Sequence, residues 1–323
     1  MKLIADASQD FKTSAHPDVW RAVGLLTTVL VAVAYYIGAA IIFAIPYAAY
    51  HWREPVALAY LVVAAVLVLG PAAPAKQIRH SRLYKSVALY FDAKVFAEDE
   101  MSLMSHHPKP VLILNFPHGV ISFGGWCVGS LYYAREAVTG CADAVVRLPF
   151  LRQLLGPFGM VSSSRVPMRE ALCSGMDVCL YSGGLAELFL CRRDKEQLYF
   201  KHRKGCIKLA IESGADVRLC YMFGNSSMFD LLCGPYTAWL SRHLRISMCL
   251  FWGRWFLPVP HKTKVIAVLS RTITMPDYSK NRESITPALI QQQHDIVLKE
   301  LQKLFDEHKH LHPEYEDKQL IFV

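Results

Sequence analysis

Val111-Leu-Ile-Leu-Asn-Phe-Pro-His-Gly119 is the stretch on which the fold of this chain turns. Val111 to Leu114 is a short unbroken apolar run that Asn115 and Pro117 then stop, so it reads as a buried strand opening into a loop. The same pattern recurs downstream. Asp177 to Tyr181 is a second candidate strand ending at Gly183-Gly184, Asp216 to Phe223 a third ending at Gly224-Asn225, and Val265 to Leu269 a fourth. Between the second and third, Cys206, Ile207, Ala210 and Ile211 keep a helical spacing over Gly205 to Ser213, with Gly214 as a C-terminal cap. Strands alternating with helices predict an α/β fold with a mostly parallel sheet flanked by helices.

Towards the carboxyl end, Thr286 before Pro287 makes a helix start, a capping hydroxyl followed by a proline at the first helical position. Ile290, Val297, Leu301, Leu304 and Phe305 then form one apolar stripe, expected to pack on the sheet.

The amino-terminal region has a different character. No Asp, Glu, Lys or Arg occurs from Ala22 to Trp52 or from Pro55 to Ala75, and only Arg53 and Glu54 separate the two runs. The first run is long enough to cross a hydrocarbon core as a helix, and the second, densest from Val56 to Leu69, falls just short. A signal peptide is disfavoured because Asp6, Asp10 and Asp18 precede a run too long for a signal core. The expectation is a transmembrane helical hairpin over 21–75, between a cytosolic segment at 1–20 and an α/β domain over 76–323. Lys76, Arg79, Arg82 and Lys85 recur every third residue, with His80 among them. A helix there would carry a basic stripe favouring the cytoplasmic leaflet; if both segments cross, both chain ends lie in the cytosol and the sequon Asn225-Ser226-Ser227 stays unmodified.

Composition agrees with a membrane setting. The 323 residues are 53% hydrophobic, with a mean hydropathy of +0.23. The balance of 35 Lys and Arg against 27 Asp and Glu gives +8, which suits anionic lipid or a phosphorylated co-substrate. No recognition motif or basic tail points to nucleic acid. Nine cysteines are scattered without a Cys-x-x-Cys pair, so neither a zinc site nor a disulfide framework is indicated. His308-Lys-His-Leu-His312 reads as a solvated tail, and no metal is assigned.

Three passages in fixed order carry the candidate chemistry. His118 sits where a strand ends, the place where reacting groups collect in α/β sheets, and an imidazole can take a proton from an alcohol at neutral pH. Pro117 fixes the backbone before it and Gly119 leaves room for a substrate. Gly183 and Gly184 allow close backbone approach, and Glu187 follows at a helix entry, where it either orients the imidazole, holds a hydroxyl, or only complements the helix end. Ser182 lacks the Gly-x-Ser-x-Gly context of a hydrolase nucleophile. Arg203, Lys204 and Gly205 open a basic helix start that either holds phosphate, with Lys208 one turn on, or is merely solvated.

The run Arg203-Lys-Gly-Cys-Ile-Lys-Leu-Ala-Ile-Glu-Ser-Gly-Ala-Asp216, continuing to Tyr221-Met-Phe-Gly-Asn225, resembles the signature of the type-2 diacylglycerol acyltransferases, a family that includes monoacylglycerol and wax ester acyltransferases. Phe251-Trp-Gly-Arg254 with Leu257-Pro-Val-Pro260, and Leu304-Phe-Asp-Glu-His-Lys309, resemble the family pattern too. The resemblance implies an acyltransferase-like α/β fold in the endoplasmic reticulum membrane, associated with lipid droplets, that moves a fatty acyl group from acyl-CoA to diacylglycerol. Acyl-CoA would be a co-substrate, with no other cofactor. Two positions depart from the pattern. The family's His-Pro-His-Gly reads Phe116-Pro117-His118-Gly119, so only His118 is carried over as the catalytic base, with Glu187 as its carboxylate. The family's Pro-Gly-Gly reads Ser182-Gly183-Gly184. These departures keep two alternatives in view: a monoacylglycerol or fatty alcohol acceptor, and a catalytically silent lipid-binding protein. Self-association stays open.

Overall fold

A computed structural model describes residues 1–69, 76–99, 107–132, 137–143, 145–232, 234, 239 and 250–323. In chain order the strands are β1 (Lys2–Asp6), β2 (Lys94–Ala97), β3 (Val111–Phe116), β4 (Ala137–Cys141), β5 (Met160–Ser162) and β6 (Asp177–Leu180). They continue as β7 (Glu196–Leu198), β8 (Asp216–Phe223), β9 (Asp230–Leu232), β10 (Leu250–Trp252), β11 (Ile266–Leu269) and β12 (Leu320–Phe322). Eight of them form one sheet in the order β1-β2-β11-β8-β3-β6-β4-β5. The run from β8 to β5 is parallel throughout, whereas β11 joins β8 antiparallel and β1 joins β2 antiparallel. The four strands read from the sequence are thus present, and three of them, β3, β6 and β8, lie side by side at the centre.

Connections explain where a site can form. From β3 the chain runs outward through β4 and β5, returns to β6, and then crosses to β8 on the far side of β3. Strand β3 therefore lies at a topological switch point, where a crevice opens beyond the carboxyl ends of the strands. His118, the turn at Gly183-Gly184 and Asn225 follow the ends of β3, β6 and β8 respectively.

The helices are α1 (Pro17–Tyr50), α2 (Pro55–Leu69), α3 (Arg82–Tyr90), α4 (Phe123–Leu131), α5 (Leu151–Leu155), α6 (Arg165–Cys173), α7 (Gly184–Leu188), α8 (Gly205–Ser213) and α9 (Pro287–His308). On one face of the sheet, Leu112, Leu114 and Phe116 of β3 and Leu219, Tyr221 and Phe223 of β8 form a dry core with α6, α8 and α9. The stripe on α9 packs as expected: Val297, Leu301, Leu304 and Phe305 are buried there. Thr286 caps this helix through the Leu289 amide at 3.2 Å, and Gly214 ends α8 with φ +64°, a conformation glycine adopts without penalty.

Two expectations about the amino-terminal region need correction. Among the described residues only α1, with 34 residues, is long and apolar enough to cross a membrane, so the expected two-span hairpin is not supported. The 15 residues of α2 rise about 22 Å, short of a hydrocarbon core of about 30 Å; residues 70–75 at the end of the second apolar run lie outside the described residues. The basic run likewise does not form one striped helix. Ser81 starts a new helix, its hydroxyl accepting from the Tyr84 amide, and the cations part company. Arg79 is buried and donates to His80, while Lys85 pairs with Asp10 at 2.7 Å. The first residues of the chain supply β1, an edge strand of the sheet.

Helix α1 does more than anchor. Gly24 lies against the Ser86 carbonyl of α3, where a Cβ would stand 2.0 Å from the oxygen, and Gly38 lies against Pro149. The helix packs on the domain between those two points. Its opposite side keeps Leu26, Leu30 and Ile37 exposed.

Candidate active site

The second face of the sheet is packed over β2, β11 and β8, where Val95, Ala97, Cys220, Met222, Ala267 and Leu269 form a buried cluster, and hollow over β3, β6 and β4. Val111, Ile113 and Asn115 of β3, with Cys179 and Tyr181 on and after β6, point away from the dry core and floor a cavity of about 1130 Å³. Trp126 and Val128 of α4 cover it, and Val31, Tyr35, Tyr36, Ala39 and Phe43 of α1 form one wall. His118 lines the cavity at the carboxyl end of β3.

The loop that carries His118 is held from both sides. Asn225 donates through Nδ2 to the carbonyls of Pro117 at 2.9 Å and His118 at 3.0 Å, and accepts from the Gly124 amide at 2.8 Å. Behind it, the Gly224 amide donates to the Tyr315 hydroxyl at 3.0 Å, which meets the Ser226 hydroxyl at 2.9 Å; Ser226 also donates to buried Glu196. Gly119 has φ +67° and packs on Asn225, where a Cβ would come within 2.8 Å of the amide nitrogen. Sequence reasoning met Asn225 as a strand end, as the close of the family-like run and as a glycosylation sequon, but gave it no role in the site. It is 1% exposed with both amide atoms engaged, so a glycan has no access.

The imidazole has a defined tautomer. His118 Nδ1 lies 2.7 Å from the Gly119 carbonyl oxygen, which can only accept, so the ring proton sits on Nδ1 and Nε2 keeps its lone pair. The Tyr181 ring meets the imidazole edge-on at 5.2 Å, and the Tyr181 hydroxyl accepts from Ser122 at 2.7 Å. Burial holds the His118 pKa below its usual 6.5, with the Gly119 contact opposing weakly, so the ring is neutral at physiological pH. Such a nitrogen is ready to accept a proton.

Glu187 is close to the histidine, but not as the sequence suggested. Its Oε1 accepts from the His118 backbone amide at 2.6 Å rather than from the ring. Desolvation raises its pKa to about 7, against the lowering effect of the His118 and Tyr199 amides. The carboxylate positions the loop; the Gly119 carbonyl sets the ring. Gly183 exists for Glu187, because a Cβ there would sit 2.1 Å from Oε2.

The remaining candidates divide. Gly184, with φ +53° and open space at its Cα, lines the cavity, although its amide already donates to the Tyr181 carbonyl at 3.2 Å. Arg203 also lines it, donating to the Gly183 carbonyl at 3.3 Å and stacking over Tyr199 at 5.0 Å. Lys204 and Gly205 are exposed at the amino end of α8, outside the cavity lining, and Pro117, Gly119 and Gly183 stand behind it. His308 and His312 are buried against the Leu304 and Lys264 carbonyls and face different partners. Among the described residues one group has metal-ligand spacing, Glu98, Glu307 and His308, whose ligand atoms lie within 4.8 Å of one another.

Residues 71–323 match the model of a protein family described as diacylglycerol acyltransferase. The chain belongs to that family. This diacylglycerol acyltransferase family member is 30% identical to the diacylglycerol O-acyltransferase 2 of Dictyostelium discoideum over 72% of its length and 74% of the relative's. It is 25% identical to human diacylglycerol O-acyltransferase 2-like protein 6, and 25% identical to human acyl-CoA wax alcohol acyltransferase 2, each with the same shares covered. Among solved structures, the 1-acyl-sn-glycerophosphate acyltransferase of Thermotoga maritima aligns with a TM-score of 0.44 at 13% identity, over 85% of this chain and 95% of that one. Membership makes the protein an acyltransferase of lipid biosynthesis that uses acyl-CoA and a lipid acceptor, and the apolar α1 is consistent with membrane association.

Proposed function

We propose that this family member esterifies diacylglycerol with the acyl group of acyl-CoA, using His118 as general base. The observation that carries the reading is the tautomer of His118: Nδ1–H is tied to the Gly119 carbonyl, which leaves Nε2 basic at the wall of a large apolar cavity. Nε2 takes the proton of the acceptor hydroxyl as the oxygen attacks the thioester carbonyl. The carbon–sulfur bond then breaks, and the coenzyme A thiolate recovers the proton from the imidazolium. Direct attack needs no covalent acyl-enzyme.

Other residues support the assignment. From Val111 to His118 the cavity floor follows β3 for about 20 Å, the reach of a long acyl chain. Arg203 at its rim, with Lys204 and Gly205 at the adjoining end of α8, suits coenzyme A phosphates. Phe43, Leu232 and Leu250 both line the cavity and are exposed, so an apolar opening lies beside α1 where lipid reactants can enter. The enzyme would sit in the endoplasmic reticulum membrane with its catalytic domain in the cytosol.

Replacing His118 with Ala tests the mechanism. Acyl transfer in microsomes should fall by about 10²- to 10⁴-fold while membrane retention is unchanged; normal triacylglycerol synthesis by that variant ends the proposal. Supplying diacylglycerol, monoacylglycerol and a long-chain alcohol in parallel, with labelled acyl-CoA, identifies the acceptor.

A further inference from the structure

We infer that the loop Trp255-Phe256-Leu257 is a second membrane contact, inserted into the headgroup layer of a bilayer beside α1. Trp255 is 73% exposed, Phe256 83% and Leu257 52%, a concentration of large apolar side chains at one loop tip. Both aromatic residues have φ +58°, a conformation that bulky side chains rarely adopt. The backbone beneath them is closed tightly. The Gly253 amide donates to the Leu257 carbonyl at 2.7 Å and the Arg254 amide to the Val259 carbonyl at 2.8 Å, while a Cβ on Gly253 would stand 1.9 Å from that same Val259 oxygen. This tightly closed base carries the exposed aromatic rings at its tip.

The loop is tied to α1 directly through β10 and indirectly through α3, which argues for lipid as its occupant. On one side Phe251 stacks on Tyr36 at 4.8 Å, and the Tyr36 hydroxyl donates to the Phe251 carbonyl at 2.6 Å and accepts from its amide at 2.9 Å. On the other, Arg254 donates to the Tyr90 hydroxyl at 2.7 Å, and Tyr90 belongs to the part of α3 that packs on Gly24. The base of the loop is therefore tied to the region of α1 between Gly24 and Tyr36, a helix on which Leu26 is 59% and Leu30 53% exposed. Among the described residues α1 is also the helix long and apolar enough to cross a membrane. Lys262 and Lys264, both exposed just after the loop, supply charge for anionic headgroups. Aromatic rings beside cations are the usual equipment of the bilayer interface.

The test uses the full chain with Cys173, an exposed free thiol, changed to Ser, and Phe256→Cys carrying an environment-sensitive fluorophore. After reconstitution into phosphatidylcholine vesicles with phosphatidylserine, the emission should shift to the blue. Lipids spin-labelled near the headgroup should quench it severalfold more than aqueous iodide does. The same chain without Phe256→Cys gives the background from the remaining thiols. A label as open to iodide in vesicles as in detergent overturns the inference. So does one shielded from iodide yet insensitive to the spin-labelled lipid, because a second copy of the chain then covers the loop. Lys262→Glu with Lys264→Glu should remove the gain in quenching that phosphatidylserine gives over phosphatidylcholine alone; an undiminished gain removes the lysines from the contact.

Discussion

The two faces of the central sheet are made by alternate residues of the same strands, yet over β3 and β6 one is solid and the other hollow. Leu112, Leu114 and Phe116 meet α8 and α9 in a continuous core, while Val111, Ile113 and Asn115, one step away on β3, face the cavity. Side chains on the packed face are fully surrounded, so each methylene contributes both transfer and dispersion energy. Those on the hollow face border open space, which the proposed reaction assigns to substrate. The lesson is a division of labour along β3: one face is packed for stability and the other leaves room for the proposed chemistry.

Substitutions can break that comparison. Phe305→Ala on the packed face should cost about 3–5 kcal/mol and show as a marked loss of folded protein in thermal unfolding. A silent Phe305→Ala would contradict a solid core. Glu187→Ala comes next. It removes the acceptor of the His118 amide, at a cost of about 1–3 kcal/mol, and lowers kcat by loosening the loop, whereas Glu187→Gln keeps an acceptor oxygen and should retain most activity. Equal damage from both variants would mean that the charge, not the hydrogen bond, matters. On the hollow face, Ile113→Phe should leave the melting temperature nearly unchanged but shift preference towards shorter acyl-CoA by about tenfold, read from competing donors.

The smallest effect concerns pH. As the proposed base His118 must be neutral, and burial holds its pKa below 6.5, so the acid limb of kcat/KM should have its midpoint below that value. Activity is present above the limb and lost as pH falls through it. Glu187, with a pKa of about 7, should add a shallow inflection near neutrality that Glu187→Gln abolishes.

Much of the fold was legible because the central strands are buried on both sides and therefore read as unbroken apolar runs. That same fact hid the cavity, since Ile113 and Leu114 look alike in a sequence while one faces space and the other a core. Three-residue strands such as β5, β7 and β12 are too short to show a period. The helix starts at Thr286 and the stop at Gly214 were visible through local capping chemistry. In the site, His118 could be located, but its partners could not: Asn225 lies 107 positions away, and the Glu187 carboxylate reaches a backbone amide, which no side-chain pattern announces. The basic run before α3 misled because periodicity took no account of Ser81 as a helix start.

Helix α1 contributes Val31, Tyr35 and Tyr36 to the lining of the chamber and clasps β10 through a single phenol. Trimming the greasy amino terminus to obtain a water-soluble enzyme would therefore remove a side of the vessel in which the reaction is run. A shortened chain of that kind should be expected to leak substrate, whatever its solubility.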